Sequence, residues 1–158
     1  MPELPEVETT LRGIEPHIVS KSVSSVIVRQ KSLRWPVPVS LIQKKLKNKR
    51  IDNIKRRGKY LLLESSKEHL IIHLGMSGTL HIPSNKNVTN LSFYNNPTLP
   101  KKHNHIIIEF GKVKLIYNDP RRFGYFKILS SKYDFNNYFT RIGPEALDKG
   151  FDLEYLKN

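Results

Sequence analysis

Eight short runs rich in Ile, Val, Leu and Tyr, each bounded by turn residues, constrain this chain most. They fall at 22–30, 50–57, 59–64, 69–73, 78–82, 105–110, 113–117 and 124–129. Runs of this length and composition read as β-strands. Phe110-Gly111-Lys112-Val113 reads as a tight hairpin with Gly111 at its special position. Ahead of the strands, 3–17 reads as an amphipathic helix with Leu4, Val7, Leu11 and Ile14 in one stripe. Glu3, Glu6 and Thr10 fall on a neighbouring face, roughly 100° away. Gly13 weakens this helix slightly. A second short helix is expected at 40–47, and 83–100 reads as a long exposed polar loop. Many short strands with few helices imply an antiparallel sandwich or barrel with helices at its edges. There is no internal repeat, and 158 residues make one domain, or one domain plus a stub.

The charge limits the partners. Lys and Arg number 27 against 14 acids, a net +13, which points to a polyanion, nucleic acid first. A merely soluble basic surface is the alternative. The cations cluster: nine lie between Lys44 and Lys59, with Asp52 the single acid among them. A second basic group runs from Lys101 to Lys127. With no cysteine, disulfides and cysteine–metal sites are excluded within this chain. His103-Asn104-His105 would turn both rings to one side of a strand, a poor metal signal. No stretch reads as a membrane span or a signal peptide, so a cytoplasmic location is expected.

Several segments carry possible chemistry. The chain opens Met1-Pro2-Glu3-Leu4-Pro5-Glu6. If Met1 is trimmed, Pro2 presents a secondary α-amine, which can form an iminium with an aldehyde-like carbon, beside two carboxylates. A free α-amine titrates near about 8. The helix dipole favours its neutral form and the carboxylates oppose that. The same residues also make a good helix start, with proline and acids in the first turn. Arg56-Arg57-Gly58-Lys59 leads into an apolar strand, either to hold phosphates or as a solvated strand end. Met76, between Gly75 and Gly78, is a core plug or a wedge that enters a base stack. Asp119-Pro120-Arg121-Arg122-Phe123-Gly124 is a compact loop. Its Arg and Phe either fill the hole left by an extruded base or form a basic hairpin tip with Phe123 folded inward. Gly143-Pro144 is a break signal at the exit of the domain.

Taken in order, PELPEVE at 2–8, GIEPH at 13–17, LRWPV at 33–37, RRGKYLLLE at 56–64, HLGMSGTL at 73–80, KHNH at 102–105, NDPRRFG at 118–124 and GPEAL at 143–147 resemble the N-terminal domain of formamidopyrimidine-DNA glycosylase. Endonuclease VIII, with the same terminal proline, is the nearest alternative; Met76 and Arg121–Phe123 resemble the purine-repair branch more closely. The resemblance implies a two-sheet antiparallel β-sandwich, with an N-terminal helix carrying the terminal proline. It implies excision of oxidised purines (formamidopyrimidine, 8-oxoguanine) followed by AP-lyase strand scission. Pro2 would form the Schiff base, Glu3 would protonate the sugar ring oxygen, and Glu6 would support the site. Lys59 would hold a phosphate and assist elimination. His73, His103 and Arg121 match DNA-contacting positions, with Arg122 beside them. Met76, Arg121 and Phe123 match the residues that fill the gap left by base flipping. The implied partner is double-stranded DNA with an oxidised purine or abasic site, bound by a monomer in the bacterial nucleoid, with no membrane partner.

The resemblance also implies a division of the chain: 1–142 as the catalytic domain and 143–158 as a linker or the start of a second domain, with 151–157 entering a helix. The family's second domain carries a helix–two-turns–helix unit and usually a zinc finger. Zinc is expected only there, and no cofactor within this chain. That domain also supplies part of the grip on DNA, so this chain alone is expected to bind weakly and to have little activity. The alternative is a non-catalytic basic DNA-binding fragment. A small basic RNA-binding β-protein fits the charge but not the ordered motifs.

Overall fold

The computed structural model describes residues 4–83, 100–130 and 137–138. Helix α1 (Leu4–Ile18) leads into β1 (Ser25–Val28) and α2 (Val39–Leu46). Four strands follow: β2 (Asn53–Arg57), β3 (Tyr60–Ser65), β4 (Glu68–His73) and β5 (Thr79–His81). After a 3₁₀ turn at Lys101–His103 come β6 (Asn104–Phe110), β7 (Val113–Asn118) and β8 (Tyr125–Leu129). All eight expected strands are present. The first two are shorter than their apolar runs, because Ser22 and Arg50 form only an isolated bridge with each other.

The strands make two antiparallel four-stranded sheets, ordered β1-β6-β7-β5 and β2-β3-β4-β8. The main core lies between them, built from alternate residues such as Leu61, Leu63, Leu70 and Ile72 on one side and Ile106, Ile108, Leu115 and Tyr117 on the other. Both ends of this sandwich are open sheet edges, and each is closed by a helix. α1 lies against β2 and β3 of one sheet and β5 and β7 of the other. α2 bridges β1 to β4 and β8. The apolar stripe explains how α1 docks: Val7, Leu11, Ile14 and Ile18, spaced four, three and four apart, are all buried. Thr10, expected on the neighbouring face with Glu3 and Glu6, is buried too. Its hydroxyl donates to the Glu6 carbonyl at 2.9 Å, which satisfies it without water.

The second sheet is buried on both faces. Tyr60, Leu62 and Ile71 point away from the main core into a smaller cluster with Tyr125, Leu129 and Tyr138. That accounts for the unbroken apolar runs in β3 and β4, where a one-sided strand would alternate.

Two turns follow the glycine pattern. Phe110 pairs with Val113 across Gly111-Lys112, and Arg57 pairs with Tyr60 across Gly58-Lys59. Gly111 and Gly58 have φ of +67° and +56° at the first central position, the pattern of a type II′ turn. His103 corrects the sequence expectation. It sits in the 3₁₀ turn, not on a strand beside His105. A register irregularity follows between Asn104 and Ile106, and the two rings meet edge-on with centroids 6.2 Å apart. The expected loop at 83–100 falls mostly outside the described residues. So do Pro2, Glu3, the 142/143 boundary and the expected helix at 151–157.

Candidate functional site

Strand register gathers the chemistry at one end of the second sheet. Tyr60 at the start of β3 pairs with His73 at the end of β4, and His73 pairs with Tyr125 at the start of β8. Three connections therefore open at that end: the Gly58–Lys59 turn before β3, the Leu74–Gly78 turn after β4 and the Asp119–Gly124 loop before β8. Lys59 is half-buried at its turn. Arg56 ties the same turn to α1: its Nε donates to Glu8 Oε1 at 2.9 Å and its Nη1 to the Gly58 carbonyl at 3.0 Å. The Glu8 pKa is lowered, first by the Arg56 hydrogen bond. The N-terminal half of α1 is thereby held beside Lys59. Nothing in the sequence marked Glu8 for that task.

The other two connections interlock. Gly75, at φ +66°, lies so close to Phe123 and Gly124 that a Cβ would sit 2.4 Å from the Gly124 nitrogen. A Cβ on Gly124 would meet the Tyr117 hydroxyl at 2.0 Å and the His73 carbonyl at 2.4 Å. Neither position has room for a side chain. Beneath this contact lies Asp119, wholly buried. Its Oδ1 accepts from the Ser77 hydroxyl at 2.7 Å; its Oδ2 accepts from the Tyr117 hydroxyl and from Gly124 N–H at 3.0 Å. Ser77 Oγ in turn accepts Arg121 N–H at 3.1 Å. One carboxylate thus sets the relative position of both loops. Arg122 is held at φ +58°, an unfavourable conformation for a residue with a Cβ, as its N–H closes the turn onto the Asp119 carbonyl at 3.3 Å.

Above the interlock is an open cleft of about 680 Å³. It is lined by His73, Gly75 and Met76 from one loop, Arg121, Arg122 and Phe123 from another, and Ser32, Leu33 and Arg34 from the segment after β1. Three of these are arginines and none is acidic. Met76 is 42% exposed and Phe123 48%, so neither is the core plug or the inward-folded ring that the sequence left open.

His73 is the polar anchor of the cleft floor. Its Nδ1 accepts Gly75 N–H at 3.0 Å, which leaves Nε2–H as the donor of the neutral ring. The ring stacks on Tyr125, with planes 2° apart and centroids 5.3 Å apart, and meets Tyr60 edge-on. Burial, reinforced by Arg34 and Lys59, pushes its pKa down to about 4.

A model of the formamidopyrimidine-DNA glycosylase N-terminal domain matches residues 1–126. The chain belongs to that family. It is 46% identical over 157 residues to the formamidopyrimidine-DNA glycosylase of Saccharophagus degradans, covering 99% of this chain and 54% of that protein. For the enzyme of Escherichia coli O9:H4 the identity is 42%, covering 99% and 53%. Among solved structures, Lactococcus lactis Fpg bound to abasic-site DNA superposes with a TM-score of 0.72 at 32% identity, covering 88% of this chain and 48% of that one. The same enzyme with N7-benzyl-Fapy-dG DNA gives 0.73 at 32%, covering 89% and 48%. The chain spans about half the length of the curated relatives it matches.

Within this glycosylase-family fold, the expected site residues fall into three groups. His73, Met76, Arg121, Arg122 and Phe123 meet in the cleft, and Lys59 stands at the same sheet end. His103 is linked to the cleft loop through the backbone, its carbonyl accepting Asp119 N–H at 3.0 Å. Glu6 is exposed on α1 and does not line the cleft; Pro2 and Glu3 lie outside the described residues. Among the described residues, no three His, Asp or Glu side chains come together as a metal-holding group, and no helix is long and apolar enough to cross a membrane.

The buried histidine predicts an acid limb in stability. Its pKa is about 4 in the folded chain against 6.5 for a free histidine, so the unfolded chain holds more protons between those values. The contribution of His73 is complete above about pH 6.5 and is lost as pH falls through about 4. His81 and His105 are lowered in the same direction, chiefly by burial, and add to this limb. A proton NMR titration should place the His73 midpoint near 4. A midpoint near the free value would show that the cleft floor is wet and the ring is not held neutral.

Proposed function

We propose that this chain is the catalytic half of a base-excision DNA glycosylase with AP-lyase activity, acting on oxidised purines. The observation that carries this is the pairing of exposed apolar side chains, Met76 and Phe123, with Arg34, Arg121 and Arg122 around one cleft, at the sheet end that also presents Lys59. Cations suit backbone phosphates, while exposed apolar groups suit a gap in a base stack. An electrostatic surface alone would not need the second set.

In the proposed reaction the neutral amine of Pro2 attacks the anomeric carbon as the glycosidic bond breaks, and the damaged base leaves with a proton. Glu3 protonates the ring oxygen, the sugar opens, and an iminium joins Pro2 to the carbon. That electron sink acidifies the adjacent sugar proton. Its loss expels the 3′ phosphate by β-elimination, and δ-elimination then expels the 5′ phosphate. Water hydrolyses the iminium and frees Pro2. Lys59 holds a phosphate beside the lesion, His73 donates Nε2–H to another phosphate oxygen, and Glu6 supports the α1 end. The neutral ring suits His73 to donate one directed hydrogen bond without a charge to desolvate.

Borohydride trapping tests this. The chain, with free Pro2 verified by mass spectrometry, is mixed with duplex carrying an abasic site and reduced. A covalent adduct is expected, and Lys59→Ala should lower its rate of formation by about 10²-fold. No adduct at high protein concentration would overturn the proposal. Duplex binding without an adduct would leave the non-catalytic DNA-binding alternative standing.

A further inference from the structure

Arg34 lines the cleft and Trp35 follows it in the chain, and neither is assigned a reaction step above. They sit at the tip of a small loop closed by a bridge between Ser32 and Pro36 and by Val37 N–H donating to the Lys31 carbonyl at 2.8 Å. Buried Leu33 and Val37 anchor this loop from below. Arg34 N–H donates to the Gly124 carbonyl at 3.2 Å, which fixes the tip to the loop that carries Phe123. The tip is therefore in register with the cleft.

What the tip presents is unusual for a solvent-facing turn. Trp35 is 56% exposed, the most exposed large apolar side chain among the described residues. Single exposed apolar residues are ordinary. Here, however, Met76 and Phe123 stand exposed in the cleft lining, and exposed Trp35 directly follows Arg34 of the same lining. The Arg34 guanidinium lies over the indole, 5.6 Å from its centroid, within the range of a cation–π contact. That contact orients the cation before any ligand arrives. With Arg29 and Lys31 in the same segment and a net +13 overall, the surface complements a polyanion that also has flat apolar faces. A nucleic-acid strand has both, with phosphates for the guanidinium and a sugar–base face for the indole.

We propose that the Arg34–Trp35 tip is a further DNA-binding element, Arg34 on a backbone phosphate and Trp35 packed against the adjoining nucleotide. This rests on the cleft being a DNA site, and it lengthens the footprint beyond the lesion. Trp35 is the sole tryptophan of the chain, so it reports on its own contact. The chain is titrated with fluorescein-labelled duplex carrying a tetrahydrofuran abasic-site analogue, following label anisotropy and tryptophan emission together. Emission should change in step with anisotropy. Trp35→Ala should weaken binding about tenfold and Trp35→Phe should recover most of it. Arg34→Gln should lower the slope of log affinity against log salt by about one. Anisotropy that rises while emission stays constant, with Trp35→Ala binding like the parent, would overturn the tip's role and leave the cleft proposal intact. No rise in anisotropy for the parent chain would overturn both.

Discussion

Asp119→Ala is expected to destabilise the chain by about 3–5 kcal/mol and lower its Tm by about 10–15 °C. The carboxylate is wholly buried and accepts from Ser77, Tyr117 and Gly124. Removing it leaves three donors without an acceptor, each costing about 1–3 kcal/mol where water cannot reach. Tyr117 suffers most: it is itself fully buried, and burial, followed by the nearby Asp119 charge, already raises its pKa. Asp119→Asn separates geometry from charge. An amide oxygen at the Oδ2 position still accepts from Tyr117 and Gly124. The amide nitrogen at Oδ1 must donate to Ser77 Oγ, which then loses its own acceptor. Two bonds are kept and the third is reversed, leaving the Ser77 hydroxyl proton without its acceptor, so about 1 kcal/mol is expected. Urea unfolding of the two variants decides this. Equal losses would mean that the hydrogen bonds are not what holds the loops together. Because the 74–78 and 119–124 loops share this acceptor, Asp119→Ala should also lose the DNA binding proposed for the cleft, even where it remains folded.

That hub was not legible in the sequence, and the reason is physical. Local periodicity reports which face of an element is apolar, so the eight strands and the α1 stripe could be read from Val7, Leu11, Ile14 and the β-branched runs. It carries no information about which loops meet. Asp119 stood at the head of a noticed motif, yet its partners lie at Ser77, 42 residues earlier, and at neighbours whose role depends on the fold. Gly75 and Gly124 looked like two separate turn glycines; their meaning is mutual contact. Met76 and Phe123 were ambiguous because a large apolar side chain in a loop is equally suited to plug a core or face a ligand. Only their exposure decided it. Arg34 stood in the LRWPV stretch with no role of its own, and its place on the cleft depends on the 3.2 Å bond to Gly124. The His73 pKa was equally hidden, since it arises from Tyr60, Tyr125, Arg34 and Lys59 gathering around one ring.

If the proposed function holds, Arg121→Ala combined with Phe123→Ala should differ from Asp119→Ala in stability: base excision should collapse while the fold is untouched. Both side chains are exposed, so unfolding stability should stay within about 0.5 kcal/mol of the parent. Extruding a stacked base costs a few kcal/mol, and side chains that occupy the vacated space offset part of it. An aromatic contact to a base contributes about 1–3 kcal/mol, and a buried charge-assisted hydrogen bond from Arg121 about as much again. On the proposed function, losing both predicts a fall of about 10²–10³-fold in single-turnover excision of 8-oxoguanine. An abasic site has no base to extrude and little stacking to replace. Borohydride trapping on a ready-made abasic duplex should therefore fall only about 3–10-fold in the same variant, from the lost cation alone. Equal losses on the two substrates would show that Arg121 and Phe123 serve general affinity and do not fill the gap. A large loss confined to the base-containing substrate would place their contribution at the extrusion step, where the 48% exposure of Phe123 finds its use.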